Sequence, residues 1–255
     1  MNKYFDFSEY SALIIGGGSG IGKVIAKALN TLGAYVVIAG RDEEKLKRTV
    51  TEINKSQGPE CEYFVCDATI EASVKQLAKF ISNKFNSKLN ILINSAGTNI
   101  REPFREITLS NFEEVHDANL KSVFLVTKYM MSFLEDAEFG RVINIASIFS
   151  TVSFPDRVSY SSSKGAVLLL SKTIALEYAQ KDVTVNTISP GPLLTEINEK
   201  VLENKKNYEK FCERIPMKRF GNPEEVVTAA LFLASPFSSY VTGSDIIVDG
   251  GWTSS

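Results

Sequence analysis

Tyr160 and Lys164 have the residue types and the spacing of a proton-transfer pair. They lie four residues apart in a strongly helical stretch, 158–180, so their side chains share one helix face. An ammonium group beside a phenol favours the phenolate, which is expected to lower the pKa of Tyr160 from about 10 toward neutral pH. Such pairs arise easily by chance in a chain with nine tyrosines, so the assignment depends on the residues around the pair.

Ser147 supplies part of that context. It directly follows the apolar run RVINIA, residues 141–146, which has the pattern of a buried strand. Ligands of open α/β sheets bind at the carboxyl ends of the strands. A hydroxyl at that position can hold a substrate oxygen while Tyr160 exchanges a proton with it. The two residues therefore predict acid–base chemistry on a carbonyl or an alcohol.

A glycine-rich loop, residues 16–22, follows the first apolar run and leads into the helical pattern IGKVIAKALNTLG. Glycines allow the backbone to turn sharply and approach a pyrophosphate, whose charge a helix N-terminus stabilises. A tight turn without a ligand is the alternative, and the position between a strand and a helix favours the nucleotide. The residues of this loop that are expected to bind the cofactor are Gly16, Gly18, Ser19, Gly20 and Ile21.

The end of the second predicted strand indicates which dinucleotide binds. An acidic residue at this point accepts a hydrogen bond from the ribose 2′-hydroxyl of NAD, whereas this chain has Gly40 and Arg41. A guanidinium matches a phosphate through forked, charge-assisted hydrogen bonds, so Arg41 predicts NADP(H). A solvated loop arginine is the alternative. Asp42, which two glutamates follow, is expected to cap the next helix.

Short β-branched runs alternate with longer amphipathic segments along the whole chain. This alternation predicts βαβ units, and the continuous apolar character of the runs indicates that helices cover both faces of the sheet. We expect one α/β domain over residues 1–255, a Rossmann-type doubly wound parallel sheet of seven strands. The predicted strands are 11–15, 34–39, 62–66, 90–94, 141–146, 183–188 and 245–249.

Residues 192–220 depart from this compact pattern. The part from Glu196 to Arg219 is rich in lysine and glutamate, is helical in pattern and is long for a connection between a strand and a helix. It is interpreted either as a lid over the substrate or as a pair of solvated surface helices.

Composition restricts the partners and the location. The net charge of -2 and the pI near 5.7 provide no basic surface for nucleic acid, so a small molecule is the expected ligand. Cys61, Cys66 and Cys212 are odd in number and are not at metal-ligand spacing, so we expect neither a disulfide framework nor a metal site. The sequence shows no signal-peptide pattern and no apolar run of membrane-spanning length, which predicts a cytoplasmic protein without a membrane partner.

With these motifs the chain resembles the short-chain dehydrogenase/reductase family over essentially its whole length. Within that family it is similar to 3-oxoacyl-acyl-carrier-protein reductases and to gluconate 5-dehydrogenases. The shared landmarks are the glycine loop, Asp67 in VCDAT, residues 94–97, Asn119 in DANLKSVF, Ser147, YSSSK, Ser189-Pro190-Gly191 and the ending RFGNPEEVVTAALFLAS…YVTGSDIIVDGG.

The resemblance implies a catalytic set of Asn119, Ser147, Tyr160 and Lys164. Tyr160 would be the general acid/base, and Lys164 would bind the nicotinamide ribose and lower the pKa of the tyrosine. Ser147 would steady the substrate oxygen, and Asn119 would hold a water that links Lys164 to solvent, with a role in bending its helix as the alternative. The other implied cofactor contacts are Asp67 and Ala68 at the adenine, Asn94, Ala96 and Gly97 at the ribose, and Pro190, Gly191, Leu193 and Thr195 at the nicotinamide carboxamide.

Two positions depart from the pattern of the family. Ile15 replaces the usual threonine before the glycine loop, and Ser95 replaces the second asparagine of Asn-Asn-Ala-Gly. Both lie outside the proton relay, so we expect effects on local packing or on cofactor affinity. His116, the only histidine, is expected to face a neighbouring helix or solvent and to take no part in catalysis.

The sequence thus predicts an NADP(H)-dependent oxidoreductase that moves hydride between nicotinamide and a carbonyl or secondary alcohol. The leading substrate expectation is a 3-oxoacyl thioester, and a sugar acid or polyol is the close alternative, toward which the run TNIREPFREI leans. A non-catalytic dinucleotide-binding sensor is a third interpretation, which the presence of all four catalytic residues disfavours. The expected pocket residues are 98–101, 148–150, Phe154, Leu193 and Leu194.

Self-association is also expected. The helix after Tyr160 continues as GAVLLLSKTIALEYA, which is apolar around more of its circumference than one sheet face requires. The resemblance implies that this helix and the preceding long helix pack across a two-fold axis, giving a homotetramer or homodimer. A deeply buried core helix is the alternative.

Overall fold

The computed structural model describes residues 3–198, 203 and 205–254. Seven strands are present: β1 Ser11–Ile15, β2 Tyr35–Gly40, β3 Glu62–Val65, β4 Ile91–Asn94, β5 Gly140–Ile145, β6 Val183–Pro190 and β7 Asp245–Val248. They form one parallel sheet in the order β3-β2-β1-β4-β5-β6-β7. The predicted Rossmann-type sheet is confirmed, and every predicted strand is found with its ends shifted by at most two residues.

Helices cover both faces of this sheet. They are α1 Gly20–Thr31, α2 Glu43–Ile53, α3 Glu71–Phe85, α4 Leu109–His116, α5 Ser122–Glu135, α6 Val158–Tyr178, α7 Lys205–Arg214 and α8 Val227–Ala234. Residues of α1, α2 and α8 pack in one apolar cluster, and residues of α3, α5 and α6 pack in the other. Among the described residues, no helix is both long enough and apolar enough to span a bilayer.

The strand β1 shows why the sheet has two cores. Ala12 and Ile14 belong to the cluster with α1, whereas Leu13 and Ile15 belong to the cluster with α3 and α5. Successive side chains of a strand point to opposite faces, so a strand that is covered on both sides must be apolar at every position. All five residues of β1 are accordingly buried.

Two local predictions from the sequence can be compared with the structure. The Asp42 side chain accepts a hydrogen bond from Lys45 N at 3.0 Å, which confirms it as the cap of α2. The segment 196–219 contains a short 3-10 turn, Glu196–Asn198, and the helix α7. Residues 199–202 and 204 of this segment lie outside the described residues.

The order of the strands reverses between β1 and β4, and a crevice opens there at the carboxyl edge of the sheet. The chain leaves β1 toward β2 on one side, and later returns to β4 on the other side. Backbone hydrogen bonds fix the first residues past the edge: Gly16 N donates to Ala39 O at 2.7 Å, and Ser95 N donates to Ile15 O at 2.9 Å. Such a reversal is where open α/β sheets bind their ligands.

The contact between α1 and the glycine loop depends on Gly22. A Cβ at this position would lie 2.3 Å from Gly16 O. We expect Gly22→Ala to lower the free energy of unfolding by about 1–3 kcal/mol because the loop must shift away from α1. Urea unfolding of both proteins measures the difference.

Gly165→Ala is the matched control, because a Cβ there meets only Ser150 O at 3.5 Å, an ordinary contact. Gly165 is inside α6, so its replacement is expected to leave stability unchanged or to raise it by about 0.5–1 kcal/mol. Equal losses in the two variants would show that close packing at Gly22 is not the cause.

Candidate active site

A cavity of about 420 Å³ lies at the carboxyl edge of the sheet. The residue that follows each of the central strands lines it: Gly16 after β1, Ser95 after β4, Ala146 after β5 and Gly191 after β6. The parallel arrangement of the sheet brings these four chain segments together, although they are far apart in sequence. The cavity is the candidate active site.

The glycine loop and the start of α1 line one half of the cavity. Gly16 has a φ of 79°, and a Cβ there would lie 2.6 Å from Ala96 N, so a larger residue could not occupy this turn. Ser19 makes no side-chain cap hydrogen bond to α1, and the first turn of α1 contains no acidic residue. The partial positive charge of the helix N-terminus is therefore available to an anionic ligand such as a pyrophosphate.

Arg41 and Asp67 lie at the far end of this half. Arg41 is exposed to solvent and lines the cavity, as a residue that binds a phosphate of a nucleotide must. The Asp67 carboxylate accepts hydrogen bonds from Thr69 N at 2.9 Å and from Thr69 Oγ1 at 2.7 Å. Burial opposes its ionisation, but these bonds and the charge of Arg41 outweigh burial and lower the pKa of Asp67. Asp67 is thus a fixed anion next to a free cation.

Lys45 is a second cation at this end, which the sequence did not single out. Its Nζ forms an ion pair with Glu196 Oε2 at 2.5 Å, and both residues line the cavity. The pair joins α2 to the segment after β6 across the mouth of the cavity.

The structure brings most of the predicted site residues to this one cavity. Its lining includes the predicted residues Gly16, Gly18, Ser19, Gly20, Ile21, Arg41, Asp67, Ala68, Ala96, Gly97, Ser147, Tyr160, Lys164, Pro190, Gly191, Leu193 and Thr195. Asn94 and Asn119 do not line it. The side chain of Asn94 is buried and donates to Asn144 Oδ1 at 2.8 Å and to Thr127 Oγ1 at 3.2 Å, so it binds its neighbours in the fold and not the cavity.

Tyr160 and Ser147 lie together at the other half of the cavity. Ser147 lies two residues past the end of β5 and caps a 3-10 turn, with Phe149 N donating to Ser147 Oγ at 3.1 Å. Burial raises the pKa of Tyr160, while a hydrogen bond with Ser147 and the charges of Arg157 and Arg101 lower it to a smaller extent. Two hydroxyl groups therefore face the same small volume, and the phenol keeps its proton at neutral pH.

Lys164 is one helical turn beyond Tyr160 and is buried. Its Nζ donates to Ile145 O at 2.7 Å, and it lies 5.9 Å from the centroid of the Tyr160 ring. Burial lowers the pKa of Lys164 to about 8. The sequence predicted that Lys164 lowers the pKa of Tyr160, whereas burial of Tyr160, the largest influence on the phenol in this structure, raises that pKa.

Asn119 sits in a single π-helical turn, Asp117–Lys121, between α4 and α5. Its Oδ1 accepts from Thr98 N at 2.8 Å, and its Nδ2 donates to Thr98 O at 3.0 Å and to Ser163 Oγ at 2.9 Å. A Cβ at Gly97 would lie 2.9 Å from Asn119 Oδ1 and 3.6 Å from Lys164 Nζ, so the three groups meet at one point. Asn119 thus clamps the segment after β4 to α6, at a turn where the helix bends.

Aromatic rings form the outer wall beyond Tyr160. The ring of Phe149 lies 6.3 Å from that of Tyr160, and Phe211 of α7 lies 5.6 Å from Phe154 and 5.9 Å from Trp252. Of the pocket residues expected from the sequence, Asn99, Arg101, Ile148, Phe149 and Leu193 line the cavity, whereas Thr98, Ile100, Ser150, Phe154 and Leu194 do not.

Arg157 is the main residue that the sequence did not identify. It precedes Tyr160 by three residues and occupies the N-cap position of α6 without a side-chain cap hydrogen bond. It is buried and lines the cavity. Burial, and then the charge of Arg101, lower the pKa of Arg157 to about 10. An arginine in the polar run FPDRVSY is typical of a solvated loop, so no pattern indicated its burial.

The remaining expectations concern residues beside the site. Ile15 is buried among the residues of the second apolar cluster, and both Ile15 and Ser95 line the cavity. His116 stacks on Phe112 and its Nε2 lies 3.2 Å from Ser162 Oγ on α6. The histidine therefore faces a neighbouring helix, as expected.

Known proteins match both the sequence and the fold. A family model described as enoyl-(acyl carrier protein) reductase matches residues 16–253. A 3-oxoacyl-acyl-carrier-protein reductase of Aquifex aeolicus is 34% identical over 240 residues, which cover 94% of this chain and 96% of the relative. A tropinone reductase homolog of Arabidopsis thaliana, described as chloroplastic, is 36% identical over 241 residues, which cover 94% of this chain and 74% of the relative.

Solved structures agree with these matches. The crystal structure of a gluconate 5-dehydrogenase from Burkholderia cenocepacia, in complex with NADP and tartrate, has a TM-score of 0.94 at 30% identity and covers 99% of this chain and 98% of that chain. Together with the strand order and the match over residues 16–253, these comparisons show that the chain belongs to the short-chain dehydrogenase/reductase family of NAD(P)-dependent oxidoreductases.

Proposed function

We propose that this chain is an NADP(H)-dependent oxidoreductase that interconverts a carbonyl and a secondary alcohol, with Tyr160 as the general acid/base. The observation that carries the proposal is the shared cavity: the hydroxyls of Tyr160 and Ser147 lie at one end, and the glycine loop with the N-terminus of α1 lies at the other. With Arg41 and Asp67 beyond the glycine loop, these groups match a ligand whose pyrophosphate lies between an adenosine end and a reacting carbon.

The cavity lining fits NADP(H). Gly16 allows the tight turn after β1 against Ala96, the open N-terminus of α1 can accept a pyrophosphate, and Arg41 offers a guanidinium for a 2′-phosphate. Asp67 and Ala68 would hold the adenine end, and Lys164 the nicotinamide ribose. When bound, the nicotinamide donates a hydride to the substrate carbon or accepts one from it. The crystal structure of the related Burkholderia cenocepacia enzyme contains NADP, which supports this choice.

The protein residues move the proton that accompanies the hydride. In reduction, the substrate oxygen accepts hydrogen bonds from Ser147 and Tyr160, and the phenol proton of Tyr160 passes to that oxygen as the carbon gains hydride. The hydroxyl of Ser147 and the positive charges nearby stabilise the phenolate that remains. Lys164, whose pKa lies near 8, can then supply a proton to the phenolate at neutral pH. Alcohol oxidation reverses these steps.

Asn119 and the segment 192–220 have proposed supporting roles. Asn119 is proposed to hold a water that connects Lys164 to solvent, which is consistent with its closeness to Gly97 and Lys164. Residues 192–220 are proposed as a lid, because several of the described residues between Pro192 and Phe211 line the cavity.

Removal of the phenol hydroxyl tests the acid/base assignment. Tyr160→Phe is expected to lower kcat by about 10³-fold or more, because the substrate oxygen loses its proton donor. NADPH binding, followed by fluorescence, should persist because the ring and the glycine loop remain. Tyr240→Phe is the control, since Tyr240 is fully exposed. Retained turnover in Tyr160→Phe would refute the assignment.

Reversal of the charge at Arg41 tests the cofactor choice. Arg41→Asp is expected to raise the KM for NADPH by about 30-fold or more, because a carboxylate repels the 2′-phosphate. The KM for NADH should change little, since NADH lacks that phosphate. Arg105→Asp, at an exposed position outside the cavity, is the control. An equal effect on both cofactors would mean that Arg41 does not recognise the 2′-phosphate.

Two substrate classes remain, and each has support. The 3-oxoacyl thioester expected from the sequence is supported by the Aquifex aeolicus relative and by the aromatic wall around Phe149, which suits an acyl chain. A sugar acid or polyol is supported by the Burkholderia cenocepacia gluconate 5-dehydrogenase, whose structure contains tartrate, and by the cations Arg101 and Arg157 near Tyr160.

Steady-state rates with NADPH separate these classes. The substrates to compare are acetoacetyl-CoA and 5-ketogluconate, at matched concentrations. Activity confined to 5-ketogluconate would reject the thioester, and activity confined to acetoacetyl-CoA would reject the sugar acid. NADPH binding without turnover of either compound, or of a broad panel of carbonyls, would favour a non-catalytic sensor.

We also propose that the chain forms a homodimer or homotetramer through α5 and α6. The large side chains Phe124, Leu169 and Leu176 on these helices are exposed, with Leu176 at 81%. Apolar groups of this size in one region are typical of a protein interface. Light scattering of the purified protein gives the number of subunits.

A further inference from the structure

Arg157 is a buried cation of the cavity wall, and the charge of the adjacent Asp156 acts on it without forming an ion pair. Arg157 is only 4% exposed, and no acidic side chain among the described residues forms an ion pair with it. Its Nη1 makes one long hydrogen bond, 3.4 Å, to Asp156 O, and its Nε has no partner. A buried guanidinium with an unused donor costs stability, so its retention calls for a functional explanation.

A second cation shares this end of the cavity. Arg101 is half-buried, lines the cavity and is held by a hydrogen bond of 3.1 Å from its Nη2 to Asn198 Oδ1. The charges of Arg101 and Arg157 affect each other and both affect Tyr160. Like charges this close repel each other, so a ligand with negative charge would relieve a cost that the empty fold bears.

The guanidinium groups indicate the shape of that ligand. A carboxylate binds a guanidinium through two parallel N–H···O bonds, and because the Nε of Arg157 is itself buried, the contact would be with its terminal Nη groups. Asn99 also lines the cavity, but its Oδ1 is buried and is not open to a ligand. A neutral carbonyl would satisfy the donors but would leave the charges of the arginines unopposed.

We propose that Arg157, together with Arg101, binds a carboxylate of the substrate beside Tyr160, and that Arg157 is a specificity-determining residue for a hydroxy acid and its oxo acid. This inference rests on the proposed carbonyl–alcohol chemistry at Tyr160. The pyrophosphate of the cofactor is held separately, by the glycine loop at the opposite end of the cavity.

Binding to the NADPH-loaded enzyme tests the carboxylate site without turnover, because an alcohol cannot react with the reduced cofactor. Calorimetric titration with D-gluconate and with D-sorbitol compares two polyols that differ in a terminal carboxylate. We expect gluconate to bind at least about 30-fold more tightly, as charge-assisted bidentate bonds allow. Arg157→Met should remove this difference, and Arg157→Lys, which keeps the charge but loses the fork, should retain only part of it.

Kinetics with paired ketones extend the test to smaller acids. The pairs are acetoacetate with methyl acetoacetate and levulinate with methyl levulinate, and the measured quantity is the ratio of kcat/KM for acid and ester. Arg157→Met and Arg101→Met should lower this ratio by about 10- to 100-fold, and the ratio cancels any change in rate that acid and ester share. Arg105→Met is the matched control at an exposed arginine outside the cavity.

The outcomes are distinguishable. If neither gluconate nor any acid is preferred over its neutral partner, the carboxylate site is refuted, while turnover of the neutral ketones would still support oxidoreductase chemistry at Tyr160. A preference for dihydroxyacetone phosphate over dihydroxyacetone without a preference for carboxylates would also overturn the proposal. If Arg157→Met does not fold, the ratios in Arg157→Lys and Arg101→Met decide. If the wild-type enzyme turns over no ketone but still binds gluconate more tightly than sorbitol, the proposed function is contradicted and the carboxylate site still stands.

Discussion

The hydrogen bond from Lys164 Nζ to the carbonyl oxygen of Ile145 ties the catalytic helix to the sheet. It joins α6 to the last residue of β5, the strand that Ser147 closely follows. Because Tyr160 lies one helical turn before Lys164, the same bond fixes where the phenol stands relative to Ser147. The absence of a Cβ at Gly97 leaves space for the amide of Asn119, which joins the segment after β4 to α6 by hydrogen bonds. Burial of an ammonium group costs free energy, and for this reason the pKa of Lys164 is lowered.

The half of the site that is proposed to bind the cofactor is formed by the parallel sheet and requires few functional side chains. Reversal of the strand order between β1 and β4 opens a crevice, and the glycine loop allows the N-terminus of α1 to face it. The binding of a pyrophosphate then depends on backbone N–H groups and on glycines, which have no side chain to block its approach. Only the ends of the ligand are recognised by side-chain charges, by Arg41 at one end and by the catalytic residues at the other.

Features set by local sequence could be predicted, and features set by the packing of distant segments could not. Short stretches of sequence determine the seven strands, the helix cap Asp42 and the glycine loop, and all of them are present in the structure. Tyr160 and Ser147 could be placed together because strand ends and helix starts share one edge of the sheet. The rise in the pKa of Tyr160 was missed, since burial depends on residues from several elements. Side chains alternate in direction along β4, so the side chain of Asn94 is buried within the protein. The burial of Arg157 beside the cavity results from the packing of segments that are distant in sequence.

The proposed carboxylate site would also connect substrate binding to the protonation of Tyr160. The charges of Arg157 and Arg101 lower the pKa of Tyr160 and so favour its phenolate form. A carboxylate bound to these arginines neutralises part of that charge, so the pKa of Tyr160 rises when an acid binds. The tyrosine is then more firmly protonated, which is the form that donates a proton to a carbonyl oxygen. A neutral substrate leaves the positive charges of the arginines in place, and these charges continue to oppose the rise in the pKa of Tyr160 that burial causes.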